Sequence, residues 1–179
     1  MTDNPEVNSS AAGRFDLTEG GGMWVLSMER HVRTSEAALW SCLTEPSSLS
    51  RWAPFTVDRP LTATGPVRLA ASHVEDADAR TGAVLEVQAP RHLVMQWGPD
   101  TLTWAVEALG EETRLALQHG FLERASAPAY AAGWQLCLTG LVELAQGGDP
   151  PVMVGERAFQ YGWMDWYVWY ARSFHMELF

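Results

Sequence analysis

The chain has 179 residues, of which 47% are apolar and 19% are charged, and its formal net charge is −10. This length and composition are typical of one folded domain with its own apolar core, and they exclude a disordered chain. All 12 cationic residues are arginines scattered along the sequence, so the acidic surface argues against nucleic-acid partners and anionic membranes.

The first 22 residues are polar and close on three consecutive glycines, Gly20 to Gly22. This composition predicts a flexible leader over residues 1–22. The leader contains no apolar run of the kind found in a secretory signal peptide, so we expect a cytoplasmic protein.

From residue 23 onward, alternating apolar and polar residues predict strands. A strand over Met23–Arg33 is followed by two short helices. Thr34 is the predicted N-cap of the first helix, and Ser47–Trp52 is the second. Four or five strands joined by short turns then fill residues 57–121, which indicates an antiparallel sheet.

A long apolar segment covers Pro128–Ala145, with Glu143 as its only charged residue. The segment contains Gly133 and Gly140 and is shorter than the roughly 20 apolar residues of a membrane span. It therefore predicts a buried helix, with no membrane partner.

The tail over Glu156–Leu178 is predicted to be a further helix with one aromatic face. The residues of that face are Phe159, Trp163, Trp166, Tyr170 and Phe174. We expect this face to pack on its own domain or on a second copy of the chain, which leaves a monomer and a homodimer open.

Four segments of the sequence, in this order, resemble one family. They are TSEAALWSCLTEPSSLSRWAP (34–54), GAVLEVQAPRHLVMQW (82–97), TRLALQHGF (113–121) and GWQLCLTGLVEL (133–144). They are similar to segments of the START-like (SRPBCC) superfamily, most closely to homologues of the heat-shock-protein ATPase activator. The resemblance covers residues 23–147. It implies an α+β helix-grip fold, in which a curved antiparallel sheet wraps around a long C-terminal helix.

The same resemblance divides the chain into the leader, a helix-grip domain over residues 23–148 and an aromatic helical extension over residues 149–179. It also implies an apolar cavity between the sheet and the long helix, usually used by the family to hold a small apolar ligand.

Strand phases and helix spacing select the side chains expected to face that cavity. The predicted ligand-binding residues are Trp52, Phe55, Met95, Trp104, Leu117, His119, Trp134 and Leu138. The strand register leaves Val94 as the alternative to Met95. The same side chains also fit a filled core.

His119 is the one titratable residue on this apolar face, where it suits proton transfer, a ligand hydrogen bond or a core role satisfied by the backbone. The sequence contains no metal-ligand spacing, Gly-rich phosphate loop or nucleophile elbow, so we predict no metal, no cofactor and no catalytic residue. Cys42 and Cys137 are predicted to be buried free thiols.

The leading hypothesis is a domain that binds a small apolar or aromatic molecule. The alternative is a protein-interaction module with a chaperone or regulator as its protein partner, as the family's name suggests. A third hypothesis is a cyclase- or hydratase-type enzyme that uses His119, with Tyr130 or Arg114 beside it. A single acid–base group argues against catalysis, because such reactions usually need a pair.

Overall fold

The computed structural model describes residues 7–73 and 80–177. Eight antiparallel strands form one sheet in the order β1-β2-β8-β7-β6-β5-β4-β3. The strands are β1 (Arg14–Gly20), β2 (Met23–Val32), β3 (Phe55–Val57), β4 (Gly65–Ala71), β5 (Arg80–Gln88), β6 (His92–Trp97), β7 (Asp100–Leu109) and β8 (Glu112–Phe121).

Within the described residues, five α-helices accompany the sheet: α1 (Ser9–Ala12), α2 (Glu36–Thr44), α3 (Pro46–Trp52), α4 (Ala127–Ala145) and α5 (Trp163–Ser173). Two 3₁₀ helices cover Arg124–Ser126 and Gly155–Tyr161. The sheet curls around the long helix α4, which confirms the predicted α+β helix-grip fold with an additional C-terminal helix.

The inner face of the sheet follows the alternation in the sequence. In β7 and β8 every second residue is buried, including Leu102, Trp104, Leu117 and His119. In β6 Met95 is fully buried and Val94 is only half-buried, so the register places Met95 on the inner face. From α4, Trp134, Leu138 and Leu141 are buried in the same core.

The start of α2 differs in detail from the prediction. Ser35, not Thr34, is the N-cap, and its hydroxyl oxygen accepts a hydrogen bond from the Ala38 backbone N–H. The Thr34 hydroxyl instead donates to the carbonyl oxygen of Ala145 at the end of α4, over 2.9 Å. This hydrogen bond therefore links the residue before the N-cap of α2 to the C-terminal end of α4.

The prediction of a flexible leader over residues 1–22 is wrong for residues 14–20, which form β1. This strand pairs with β2 along its whole length, with Leu17 opposite Leu26. Residues 1–6 lie outside the described residues. The strand β1 is stabilised by residues distant in the sequence, because Phe15 makes edge-to-face contacts with Trp169, Tyr170 and Phe174 of the C-terminal region.

The predicted aromatic tail is divided into two helical pieces. Gly162 adopts φ = 82° between the 3₁₀ helix and α5, a left-handed conformation that favours glycine. Trp166, Tyr170 and Phe174 are buried as predicted, and α5 packs against α4 of the same chain. The prediction of a buried stripe is wrong for Phe159, which is 58% exposed.

A buried polar contact fixes α5 on α4. Gln135 in α4 accepts hydrogen bonds at Oε1 from Arg30 Nη2 (2.7 Å) and from the Tyr170 hydroxyl (2.9 Å). Its Nε2 donates to the carbonyl oxygen of Ala11 over 3.0 Å. One amide side chain thus joins β2, α5 and the N-terminal segment to the central helix.

In the described part of the chain, every helix is too short or insufficiently apolar to cross a membrane.

We expect Gln135→Leu to lower the free energy of unfolding by about 2–4 kcal/mol, because it leaves the buried Arg30 guanidinium and the Tyr170 hydroxyl without their acceptor. The measurement is urea denaturation followed by tryptophan fluorescence. Thr139→Leu, at an exposed position one turn further along α4, is the control and should change stability by less than about 0.5 kcal/mol. An equal loss in both variants would contradict the role given to Gln135.

Candidate functional site

The candidate site begins with a buried polar cluster where β7 and β8 face the first half of α4. Asp100 opens β7, and His119 lies in β8 opposite Leu102. Tyr130 and Trp134 are four residues apart on α4, so both project from the same face of the helix. We call Asp100, His119, Tyr130 and Trp134 the Asp100 cluster.

Hydrogen bonds run through the Asp100 cluster in one chain. The indole Nε1–H of Trp134 donates to His119 Nδ1 over 3.0 Å. His119 Nε2 lies 2.9 Å from Asp100 Oδ2, and the Tyr130 hydroxyl donates to the same carboxylate oxygen over 3.0 Å. His119 is completely buried, and Asp100 is 7% exposed.

The indole of Trp134 determines the tautomer of His119. An indole N–H can only donate, so His119 Nδ1 must be the unprotonated acceptor. The proton of the imidazole then lies on Nε2 and points at Asp100. His119 is therefore neutral, and its contact with Asp100 is a hydrogen bond and not an ion pair.

Tyr130 is held as a neutral phenol. Burial raises the pKa of Tyr130 to about 12, and the hydrogen bond to Asp100 and the charge of that carboxylate act in the same direction. At neutral pH the hydroxyl is a hydrogen-bond donor, already committed to Asp100.

A cavity of about 300 Å³ lies beside α4, and we call it the helix cavity. Four of the residues that α4 contributes, Tyr130, Gly133, Trp134 and Cys137, follow the spacing i, i+3, i+4, i+7 of one helix face, and Ala129 precedes them in the same helix. The opposite wall comes from the segment 153–163. The other residues that line the helix cavity are Pro54, Trp97, Ala129, Met153, Val154, Gly155, Ala158, Phe159 and Trp163.

A second cavity of about 610 Å³ lies against β4 and the β6–β7 turn, and we call it the strand cavity. It shares three lining residues with the helix cavity: Pro54, Trp97 and Tyr130. Phe55, Arg80 and Asp100 also line it. The two cavities therefore lie side by side, with the hydroxyl of Tyr130 and the carboxylate of Asp100 at their junction.

Comparison with known protein families places this chain. Residues 33–146 match the family model described as Activator of Hsp90 ATPase homolog 1-like protein. The chain belongs to this family. The assignment and the helix-grip architecture place it in the START-like superfamily, and no curated protein matches its sequence.

Solved structures share the fold of this family member at low sequence identity. EF2215 from Enterococcus faecalis, a conserved protein of unknown function, is 16% identical with a TM-score of 0.74, and the match covers 94% of this chain and 95% of that one. CalU16 from Micromonospora echinospora is 15% identical with a TM-score of 0.65, covering 90% and 96%. DynU16, from the dynemicin biosynthetic locus, is 19% identical with a TM-score of 0.62, covering 74% and 51%.

The eight ligand-binding residues predicted from the sequence are distributed unevenly around these cavities. Trp134 lines the helix cavity and Phe55 lines the strand cavity. His119 lies behind both cavities, hydrogen-bonded to Trp134 and Asp100.

The other five predicted residues pack between the sheet and α4 and line neither of the two cavities. They are Trp52, Met95, Trp104, Leu117 and Leu138, all with at most 2% exposure. Trp52 and Trp104 make an edge-to-face contact with centroids 5.8 Å apart. A contact between these five residues and a ligand stays a prediction.

Asp100 and Trp97 belong to the site but are not among the ligand-binding residues predicted from the sequence. Asp100 follows Gly98 and Pro99, which fits a turn, although the alternation of Leu102, Trp104 and Val106 extends back to it in steps of two. Trp97 ends the segment GAVLEVQAPRHLVMQW and lines both cavities. The phase of β7 was the available signal for Asp100.

Cys137 borders the helix cavity but is not a reactive thiol. Burial raises the pKa of Cys137 to about 12, so the thiol is protonated at neutral pH and a poor nucleophile. Cys42 is also a buried free thiol, as predicted. Within residues 7–73 and 80–177, no group of three or more His, Cys, Asp or Glu side chains is arranged to hold a metal ion.

The Asp100 cluster predicts a late step in the alkaline titration of the tyrosines. The pKa of Tyr130 and of Tyr170 is raised to about 12 in each case, both mainly by burial. The absorbance of tyrosinate, recorded directly after a rapid pH jump, should therefore keep rising up to about pH 12. Tyr130→Phe should remove part of that late rise.

Asp100→Asn is the matched variant for this titration. It removes the charge that adds to burial in raising the pKa of Tyr130, so the step of this tyrosine should move part of the way to lower pH without losing amplitude. A late rise unchanged in both variants would show that Tyr130 is not coupled to Asp100.

Proposed function

We propose that this chain is a small-molecule binding domain whose apolar or aromatic ligand occupies the helix cavity. The observation that carries the proposal is the helix cavity itself, about 300 Å³ in volume, with mostly apolar walls and a few polar groups, among them the Tyr130 hydroxyl and the Trp163 indole N–H. This combination of apolar walls and a few directed polar groups is typical of ligand sites.

The aromatic walls support a flat or aromatic ligand. Trp97, Trp134 and Trp163 all line the helix cavity. Trp97 and Trp134 contact each other edge to face, with centroids 5.8 Å apart. Large aromatic side chains offer wide contact area at little cost in conformational entropy, and they favour offset or edge-on contacts with other rings.

The packing of the core supports a position beside α4 rather than between α4 and the centre of the sheet. Trp52, Trp104 and Leu138 fill that interface. Gly133 has no side chain on the cavity face of α4, and the nearest atom to a Cβ placed there is Trp163 Nε1 at 4.0 Å. The missing side chain leaves room for a ligand against the helix backbone.

One observation favours a second candidate, an enzyme of the cyclase or hydratase type. Asp100, which is not among the residues predicted from the sequence, lies within hydrogen-bond distance of both His119 and Tyr130, two residues that the enzyme hypothesis names. Both ring nitrogens of His119 are occupied and its side chain is fully buried. A substrate would therefore meet Tyr130 and Asp100, with His119 orienting the carboxylate.

The alternative of a protein-interaction module rests on the family's name, and the exposed Phe159 would suit a protein partner.

Filling the helix cavity tests the binding proposal. Gly133→Leu places a side chain in open space within a helix, so the fold should persist. We expect it to weaken the binding of the neutral dye Nile red by at least about tenfold, because the added side chain occupies ligand space. The measurement is a fluorescence titration of dye into wild-type and variant protein.

Thr139→Leu is the control for this titration. It adds the same side chain to α4 at an exposed position away from the helix cavity. Its dye affinity should equal that of the wild type. Binding that survives in Gly133→Leu, or no binding to the wild type at all, would overturn the proposal.

A further inference from the structure

We infer that the ligand carries an organic ammonium group, which is bound by Asp100 in the strand cavity while its apolar body lies in the helix cavity. This inference rests on the proposed function and names the ligand class. It follows from the surroundings of Asp100 and from the side chains that share its cavity.

Asp100 is a nearly buried carboxylate without a cation. Its Oδ2 atom accepts hydrogen bonds from His119 and Tyr130, which are both neutral donors. None of the 12 arginines, all of them within the described residues, forms an ion pair with Asp100. Among the described residues, none donates a hydrogen bond to Oδ1. Oδ1 keeps some exposure to solvent, so a cationic group that enters the strand cavity can reach it and pair with the carboxylate.

The walls next to Asp100 suit an ammonium group. Phe55, Trp97 and Tyr130 line the same cavity as the carboxylate, and the rings of Phe55 and Trp97 lie 5.6 Å apart. Aromatic faces attract ammonium groups through cation–π interaction, most strongly when the site is shielded from water. A carboxylate with three aromatic neighbours is the chemistry that recognises an alkylammonium.

Among the residues that the structure describes, Arg80 is the other charged residue that lines the strand cavity. It is exposed, so solvent screens its charge far more than the charge of Asp100. The net charge of the chain, −10, also raises the local concentration of cations around the protein. Both effects favour a cation over an anion at the junction of the two cavities.

The geometry of the two cavities sets the shape of the ligand. They share Pro54, Trp97 and Tyr130 as walls. An aromatic body against Trp134 and an ammonium at Asp100 can thus belong to one small molecule with a short linker between ring and nitrogen.

The experiment compares three probes with one naphthalene ring: 2-(1-naphthyl)ethylamine as its ammonium form, 2-(1-naphthyl)ethanol and 1-naphthylacetate. Their affinities are measured by displacement of Nile red at neutral pH. For the wild type we expect the ammonium probe to bind at least about tenfold more tightly than the alcohol. Asp100→Asn should bring this ratio close to one, since its amide oxygen can still accept from His119 and Tyr130 but carries no charge.

Glu111→Gln is the matched control, because it neutralises an exposed carboxylate that lines neither cavity and should keep the preference for the ammonium. Trp97→Leu removes one aromatic wall and should reduce the preference. Circular dichroism verifies the fold of each variant. If Asp100→Asn does not fold, the inference is still tested by the ratio of the ammonium and alcohol affinities in the wild type and by its change in Trp97→Leu.

Other outcomes separate this inference from the proposed function. Equal binding of the ammonium and the alcohol would overturn the inference and leave the binding function standing. Preference for naphthylacetate that Arg80→Gln abolishes would overturn it in favour of an anion site. Failure of Nile red and of all three probes to bind would overturn both.

Discussion

The hydrogen bond from the Trp134 indole to His119 is the contact on which the candidate site depends. Because the indole can only donate, it fixes the imidazole as a neutral donor toward Asp100. That donor, together with the Tyr130 hydroxyl, holds one carboxylate oxygen in place. A core residue of α4 thereby sets the orientation of a carboxylate at the start of the central strand β7, where the two cavities meet.

Helix α4 satisfies buried polar groups on two of its faces. Toward β7 and β8 it presents Tyr130 and Trp134, and one position further along the chain it presents Gln135 to Arg30 and Tyr170. Adjacent residues on a helix project about 100° apart, so Trp134 and Gln135 serve different neighbours. Helix α4 therefore contacts the sheet on one face and α5 on another. The helix cavity lies between α4 and the segment that leads into α5.

The parts predicted well from the sequence are those that depend on local periodicity. The inward phases of β7 and β8 and the burial of α4 follow from spacing alone. The sequence does not identify Asp100 as a site residue, because a polar residue beside Gly98 and Pro99 also fits a turn. Its burial is evident only from its hydrogen bonds with His119 and Tyr130. The strand β1 was missed because Phe15 is stabilised by α5, which lies about 150 residues later. Phe159 does not join the buried aromatic face because Gly162 separates its 3₁₀ helix from α5 and interrupts the regular helical spacing.

The contact of Phe15 with α5 has a consequence for synthesis of the chain. Ribosomes release the N-terminal region first, and domains acquire long-range contacts only when both partners have emerged. The aromatic ring at the start of β1 must wait for Trp169, Tyr170 and Phe174, which are synthesised about 150 residues later. The segment 153–163 that walls the helix cavity emerges just before them. The nascent strands β2 to β8 can therefore pair before the segment that walls the helix cavity has been synthesised.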